Sequence, residues 1–177
     1  MRMSFLYFAF GSNLLRQRLR LNNPSATFVS TARLEGYRLA FSNMGLDPRT
    51  MRWRGGAATI VDAPGHAVWG CVWRLDNEHR ESLDRQESVY NAIEVPVTAP
   101  DNTVYTCLTY QLPKDLLSPR GFDPRPSPMY LDVIVRGAVQ NHLPGSYIDQ
   151  LNAVQHNGLH EDIDLYTHLL RMLNDDL

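Results

Sequence analysis

Hydrophobic and polar positions divide this chain into strand-like runs early and helix-like runs late. Phe5–Phe10 is an unbroken apolar run, which predicts a buried strand. It stops at Gly11-Ser12-Asn13, and a helical pattern over Leu14–Leu21 is predicted to follow a Ser12/Asn13 cap. Ala32–Ser42 reads as a second strand, interrupted at Glu35-Gly36. Ala57–Asp62 and Ala67–Leu75 flank Pro64-Gly65, which predicts a hairpin. Ile93–Thr98 and Val104–Leu112 flank Pro100-Asp101-Asn102, which predicts another. Val, Thr, Trp and Tyr are frequent in these runs, as strands prefer.

Helical patterns take over toward the C-terminal half. Glu78–Glu87 follows Asp76-Asn77, two good capping residues. Pro128–Asn141 has Ser127 as cap and proline at the first helical position. Tyr147–His156 is expected to stop at Asn157-Gly158, and a last helix is expected over Ile163–Asn174. Pro113–Pro126, with prolines at 113, 119, 124 and 126, reads as a loop. Most strands precede most helices, so the expected class is α+β, a small β-barrel carrying helices. With 177 residues, 44% of them hydrophobic, the expectation is a single domain over 1–177.

Charge narrows the partners. A formal net charge of -2 gives no electrostatic reason to expect nucleic acid or an anionic membrane. The arginine clusters at 16, 18 and 20, and at 49, 52 and 54, therefore read as a solvated helix face and a solvated loop. Cys71 and Cys107 lie in apolar runs and read as buried free thiols. Met1-Arg2-Met3-Ser4 leads straight into the first strand, and no apolar run is long enough for a bilayer. The expected location is cytoplasmic.

Three places could carry chemistry. Backbone N–H groups at the Gly11-Ser12-Asn13 junction would lack partners and could receive an anion. Glu87 closes the second helix, where the dipole is already negative. Partial burial there would raise its pKa and make it a proton carrier near neutrality. The alternative is a surface Glu paired with Arg85. Tyr130 shares a face with Val133, Ile134 and Gly137, and is either a core aromatic or a phenol that donates to a substrate carboxylate. Gly137 and Ala138 would let that helix approach the sheet. His156 and His160, near Glu161, Asp162 and Asp164, do not set up a metal site, and no Walker, GxGxxG or GxSxG pattern occurs. No cofactor or metal is expected.

Tyr7-Phe8-Ala9-Phe10-Gly11-Ser12-Asn13-Leu14-Leu15 resembles the signature loop of the γ-glutamylcyclotransferases, which reads Tyr-Phe-Ala-Tyr-Gly-Ser-Asn-Leu. Further matches follow in the same order: Gly55–Ile60, Val68–Trp73, Leu83–Glu87, and Pro126–Tyr130 with Gly137-Ala138. The resemblance implies a γ-glutamylcyclotransferase-like α+β fold, a small mixed β-barrel with flanking helices, and a homodimer. It implies cyclisation of γ-glutamyl dipeptides to 5-oxoproline and a free amino acid. Glu87 would be the general acid/base. The backbone of Tyr7, Phe8, Ala9, Phe10, Gly11 and Ser12, with Asn13 beside it, would cradle the γ-glutamyl group, and Tyr130 would contact substrate.

This chain departs from the family at Phe10, where the family has Tyr, and at Ser88, where it has Gly. The stretch Ser88–Ala92 is also shorter than its counterpart. If Ser88 needed φ > 0 it would be strained. Two alternatives stay open: a catalytically impaired module that binds a γ-glutamyl metabolite, and a sibling lyase acting on γ-glutamyl-lysine.

Overall fold

The computed structural model describes residues 3–117 and 121–176, so Pro119 of the proline-rich loop lies outside the described residues. Five strands close into a barrel: β1 (Ser4–Ala9), β2 (Thr27–Ser42), β3 (Ala57–Asp76), β4 (Asn91–Thr98) and β5 (Val104–Gln111), in the order β1-β3-β2-β4-β5. The sheet is mixed. β1 runs antiparallel to β3 (Ala9 opposite Cys71) and parallel to β5 (Tyr7 opposite Leu108). Phe8, Leu34, Ile60, Trp73 and Leu75 are fully or almost fully buried in the core, as are the free thiols of Cys71 and Cys107. Five α-helices flank the barrel: α1 (Arg16–Arg20), α2 (Arg80–Gln86), α3 (Pro128–Gln140), α4 (Gly145–Asn152) and α5 (Asp164–Asp175). Leu169 of α5 is fully buried, and Leu165 and Leu173 pack against the core.

Three expectations are corrected. Pro64-Gly65 does not turn a hairpin: β3 continues along the same partner, with Asp62 opposite Tyr37 and Ala67 opposite Glu35. Ala63-Pro64-Gly65-His66 therefore bulges opposite Gly36 alone, and positive φ at Gly36 (85°) and Gly65 (83°) absorbs the irregularity. The chain after β1 is not one helix either. Ser12–Leu14 form a 3-10 turn, Leu15 is extended (φ -77°, ψ 118°), and α1 begins only at Arg16. No side-chain cap hydrogen bond is made at either start. α4 likewise ends before Asn157-Gly158. Asn157 instead ties strands of chain together, its N–H donating to Pro126 O (2.8 Å) and its Nδ2 to Arg54 O (2.8 Å).

The break after β1 has a physical cause in α3. Ser127 caps α3 by accepting the Tyr130 N–H at 3.1 Å, with Pro128 at its start, as the sequence predicts. Gly137 then lies against the turn beyond β1, not against the sheet: a Cβ there would meet Leu15 N at 2.5 Å and Leu14 Cβ at 2.6 Å. Asn141 Nδ2 donates to Leu14 O at 2.7 Å, and Arg16 N donates to Gln140 Oε1 at 2.9 Å. α3 thus supplies partners that a continuous helix would otherwise have supplied to itself.

Gly137→Ala tests this contact. Helix propensity alone favours Ala by about 1 kcal/mol. The clash is with backbone, so overpacking outweighs it, and the expected result is a net loss of about 1–3 kcal/mol in denaturant unfolding.

Candidate active site

At one end of the barrel, a cavity of about 340 Å³ opens between the turn after β1, the C-terminal end of α2, the start of α3 and the loop joining β2 to β3. Tyr7, Phe10, Gly11, Ser12, Asn13, Glu87 and Tyr130 line it, residues far apart in sequence brought to one space. Phe8 and Ala9 do not line it. Both are buried in the barrel, 0% and 1% exposed.

The turn after β1 offers donors. The N–H groups of Leu14 and Leu15 bond Gly11 O and Ser12 O, while those of Gly11, Ser12 and Asn13 engage no acceptor among the described residues. Unpaired amides beside a cavity are an anion-binding arrangement, now built on a turn and not on a helix start.

Four phenols line the space, and for Tyr7, Tyr90 and Tyr130 the hydrogen bonds fix what each can offer. Asn13 Nδ2 donates to Tyr7 Oη at 3.1 Å, and Ala58 N donates to Tyr130 Oη at 3.1 Å. Both hydroxyls accept from the protein, so each keeps its own proton to donate. Tyr90 Oη instead donates to Ala58 O at 2.8 Å, leaving it lone pairs with which to accept. Burial pushes the Tyr130 phenol up to about 12 and holds those of Tyr7 and Tyr90 above their usual range, so all three stay protonated. Trp53 stacks on the Tyr130 ring at 5.4 Å and 13°, and Phe41 meets it edge-on at 6.3 Å. Tyr130 is thus both a core aromatic and a cavity hydroxyl.

Glu87 follows the last turn of α2 with φ -106° and ψ 35°, half-buried at the cavity wall. Its carboxylate forms no ion pair among the described residues, since Arg85 pairs with Glu81 at 3.3 Å. Burial raises its pKa from 4.5 to about 7, opposed by the positive charges of Arg18 and Arg52. Desolvation is the leading cause. Ser88 is not among the residues with positive φ, so the strain anticipated there does not arise.

Sequence reasoning missed Arg18, Arg52, Trp53, Tyr90 and Tyr110, all of which line the cavity. Arg18 is not on a solvated face: it is 5% exposed. Its position three and four residues after Leu15 and Leu14, next to Leu19, was a signal that it faces inward. Arg52 is exposed at the cavity mouth, whereas Arg49 and Arg54 pair with Glu161 at 3.8 and 3.1 Å. Tyr110 donates to Asp84 at 2.5 Å and meets the Tyr7 ring edge-on at 6.0 Å. The His156 and His160 rings meet edge-on at 6.0 Å, away from the cavity lining.

Comparison with known proteins places this geometry in a family. A bovine protein named gamma-glutamylcyclotransferase is 45% identical over 159 residues, covering 87% of this chain and 80% of the relative. The human protein of the same name is 43% identical with the same coverage. A solved structure named gamma-glutamyl cyclotransferase superposes with a TM-score of 0.86 at 36% identity, covering 96% of this chain and 99% of its own. A model of the AIG2-like family matches residues 67–151.

The raised Glu87 pKa has a sign that stability measurements can read. Between 4.5 and about 7 the folded chain keeps a proton on Glu87 that the unfolded chain releases, so stability falls as pH rises through that window. Glu87→Gln removes the effect. The variant is expected to match the parent near pH 4 and to exceed it by about 1–3 kcal/mol above pH 7 in urea titrations, partial solvent screening setting the lower figure.

Proposed function

Since this chain belongs to the gamma-glutamylcyclotransferase family, we propose that it cyclises γ-glutamyl amino acids to 5-oxoproline and a free amino acid, with Glu87 carrying the protons. Gamma-glutamylcyclotransferase activity itself follows from kinship with enzymes of that name over most of both chains. The substrate class and the residue roles are the proposal. The observation that carries it is a carboxyl with a pKa near 7, free of ion pairs, on a cavity that also presents unpaired amides.

The reaction makes modest demands on the protein. The nucleophile is the substrate's own α-amine. It attacks the γ-carbonyl carbon, the five-membered lactam closes, and the amide C–N bond to the departing amino acid breaks. No water is consumed. Holding the amine against the carbonyl is an orientation problem worth up to about 7–11 kcal/mol. The Gly11–Asn13 amides and the Tyr7 and Tyr130 hydroxyls are donors fixed in advance for a carboxylate or for the oxyanion that develops. Glu87 accepts a proton as the α-ammonium becomes an amine and returns it to the leaving nitrogen; the second proton, shed as that amine becomes the lactam N–H, makes the same passage, so the amino acid departs as an ammonium. A pKa near 7 suits both transfers.

Cavity-lining hydroxyls at Tyr7, Tyr90 and Tyr130 weigh against the impaired-binding alternative, as does unstrained backbone at Ser88. At Phe10 a missing hydroxyl leaves the neighbouring amides untouched. A panel of γ-glutamyl-alanine and γ-glutamyl-ε-lysine, assayed for 5-oxoproline, separates the proposed substrate class from γ-glutamyl-lysine.

Two results are expected with γ-glutamyl-alanine. Glu87→Gln lowers kcat/KM by about 10²–10⁴-fold while the fold persists; unchanged turnover in that variant removes Glu87 from the mechanism. For the parent, kcat/KM climbs with pH through about 7 as Glu87 ionises.

A further inference from the structure

We propose that Arg18 is the substrate-contacting cation of this cavity and that it binds the α-carboxylate of the γ-glutamyl unit. This leaves the Gly11–Asn13 amides for the γ-carbonyl oxygen. The inference rests on the cyclotransferase reading of the site.

A buried guanidinium is normally matched by acceptors, because removing a charge from water is expensive unless partners replace the water. Arg18 is 5% exposed, and its Nε is buried with no hydrogen-bond partner. None of the hydrogen bonds or ion pairs formed among the described residues involves its side chain. Its neighbours Arg16 and Arg20 are different: they lie at the ends of a short helix whose inner face carries Gln17, Arg18 and Leu19. Gln17 is buried too, but it is satisfied, donating to Asp176 and accepting from Gln140 at 2.7 Å each. Arg18 alone on that face reaches the cavity.

Its electrostatic surroundings are mixed. Glu87, Tyr7 and Tyr130 face it, and Arg52 lies on the same cavity. The only carboxylate among these is Glu87, which is half-protonated near neutral pH and makes no ion pair with it. The cavity lining therefore carries two arginine charges against at most one carboxylate.

The substrate's shape assigns Arg18 its partner. Every γ-glutamyl amino acid has the same γ-glutamyl unit and differs in the departing residue. The constant part fits the buried end formed by Tyr7, Gly11, Asn13, Arg18 and Tyr130. The variable part fits the mouth, where Leu46 and Arg52 are exposed. On the γ-glutamyl unit the α-ammonium and α-carboxylate share one carbon. If Glu87 takes the ammonium's proton, the carboxylate lies within a few ångströms of that carboxyl, in the cavity that Arg18 also lines. A guanidinium's planar fork matches a carboxylate with two parallel bonds, which also fixes the rotation that brings the amine onto the γ-carbonyl.

The test changes both partners. Arg18→Met and Arg18→Lys are compared with the parent for calorimetric binding and turnover of γ-glutamyl-alanine and of its analogue with the α-carboxylate of the γ-glutamyl unit converted to carboxamide. The parent is expected to favour the carboxylate ligand by roughly 10²-fold or more. Arg18→Met should lose most of that preference, with both ligands binding about equally, while Arg18→Lys restores part of the binding but little of kcat. Because Met removes an unpaired buried charge, its melting temperature should equal or exceed the parent's, which a structural arginine would not allow. The proposal is overturned if the parent binds both ligands alike, or if Arg18→Met keeps the parent's preference. Binding with this preference but no 5-oxoproline release would refute the cyclotransferase reading and leave Arg18's carboxylate contact standing.

Discussion

The docking of α3 against the turn that follows β1 is the contact on which the cavity depends. Gly137 brings the helix backbone within touching distance of Leu14 and Leu15, and Asn141 accounts for the Leu14 carbonyl. Held this way, the chain leaves the barrel as a 3-10 turn and an extended residue, with three amides free beside the cavity. The same helix places Tyr130 at its other end, where the hydroxyl takes the Ala58 N–H and the ring lies under Trp53. One helix therefore fixes the anion-receptive turn and a phenol at the buried end of the cavity.

Desolvation supplies the chemistry of this space. Burial lifts Glu87 to about 7, although two arginines nearby pull the other way. Each pKa unit is worth about 1.4 kcal/mol, so burial outweighs both positive charges by several kcal/mol. Arg18 bears the reverse burden, a cation largely kept from water whose Nε has no hydrogen-bond partner among the described residues. A lining with a desolvated carboxyl and a desolvated guanidinium is suited to a ligand that brings opposite charges of its own. A γ-glutamyl unit carries both, an ammonium and a carboxylate on one carbon.

Local signals in the sequence were read well where short-range physics decides. The β1 run, the β4–β5 hairpin around Asn102, and α3 with its Ser127 cap follow from periodicity, turn residues and capping. They were misread where a distant partner decides. Pro64-Gly65 has hairpin chemistry, yet β2 already pairs with β3 on both sides of it, so the irregularity is absorbed as a bulge. Leu14–Leu21 has helical spacing, yet α3 competes for the backbone at Leu14 and Leu15. Tyr90 looked like part of a shortened connection; the fold turns its hydroxyl onto the Ala58 carbonyl at the cavity wall.

What the sequence determined by itself is the set of groups available: an apolar strand ending at Gly-Ser-Asn, a glutamate at a helix end, a tyrosine one turn into a capped helix. Their identities and local conformations depend on neighbours within a few residues, and the family motif records that combination. What only the tertiary structure decided is their state: which hydroxyls keep a proton to give, which carboxyl titrates near 7, and which of six arginines in two clusters loses its water. Those properties depend on burial and on partners from elsewhere in the chain, and neither is encoded in spacing.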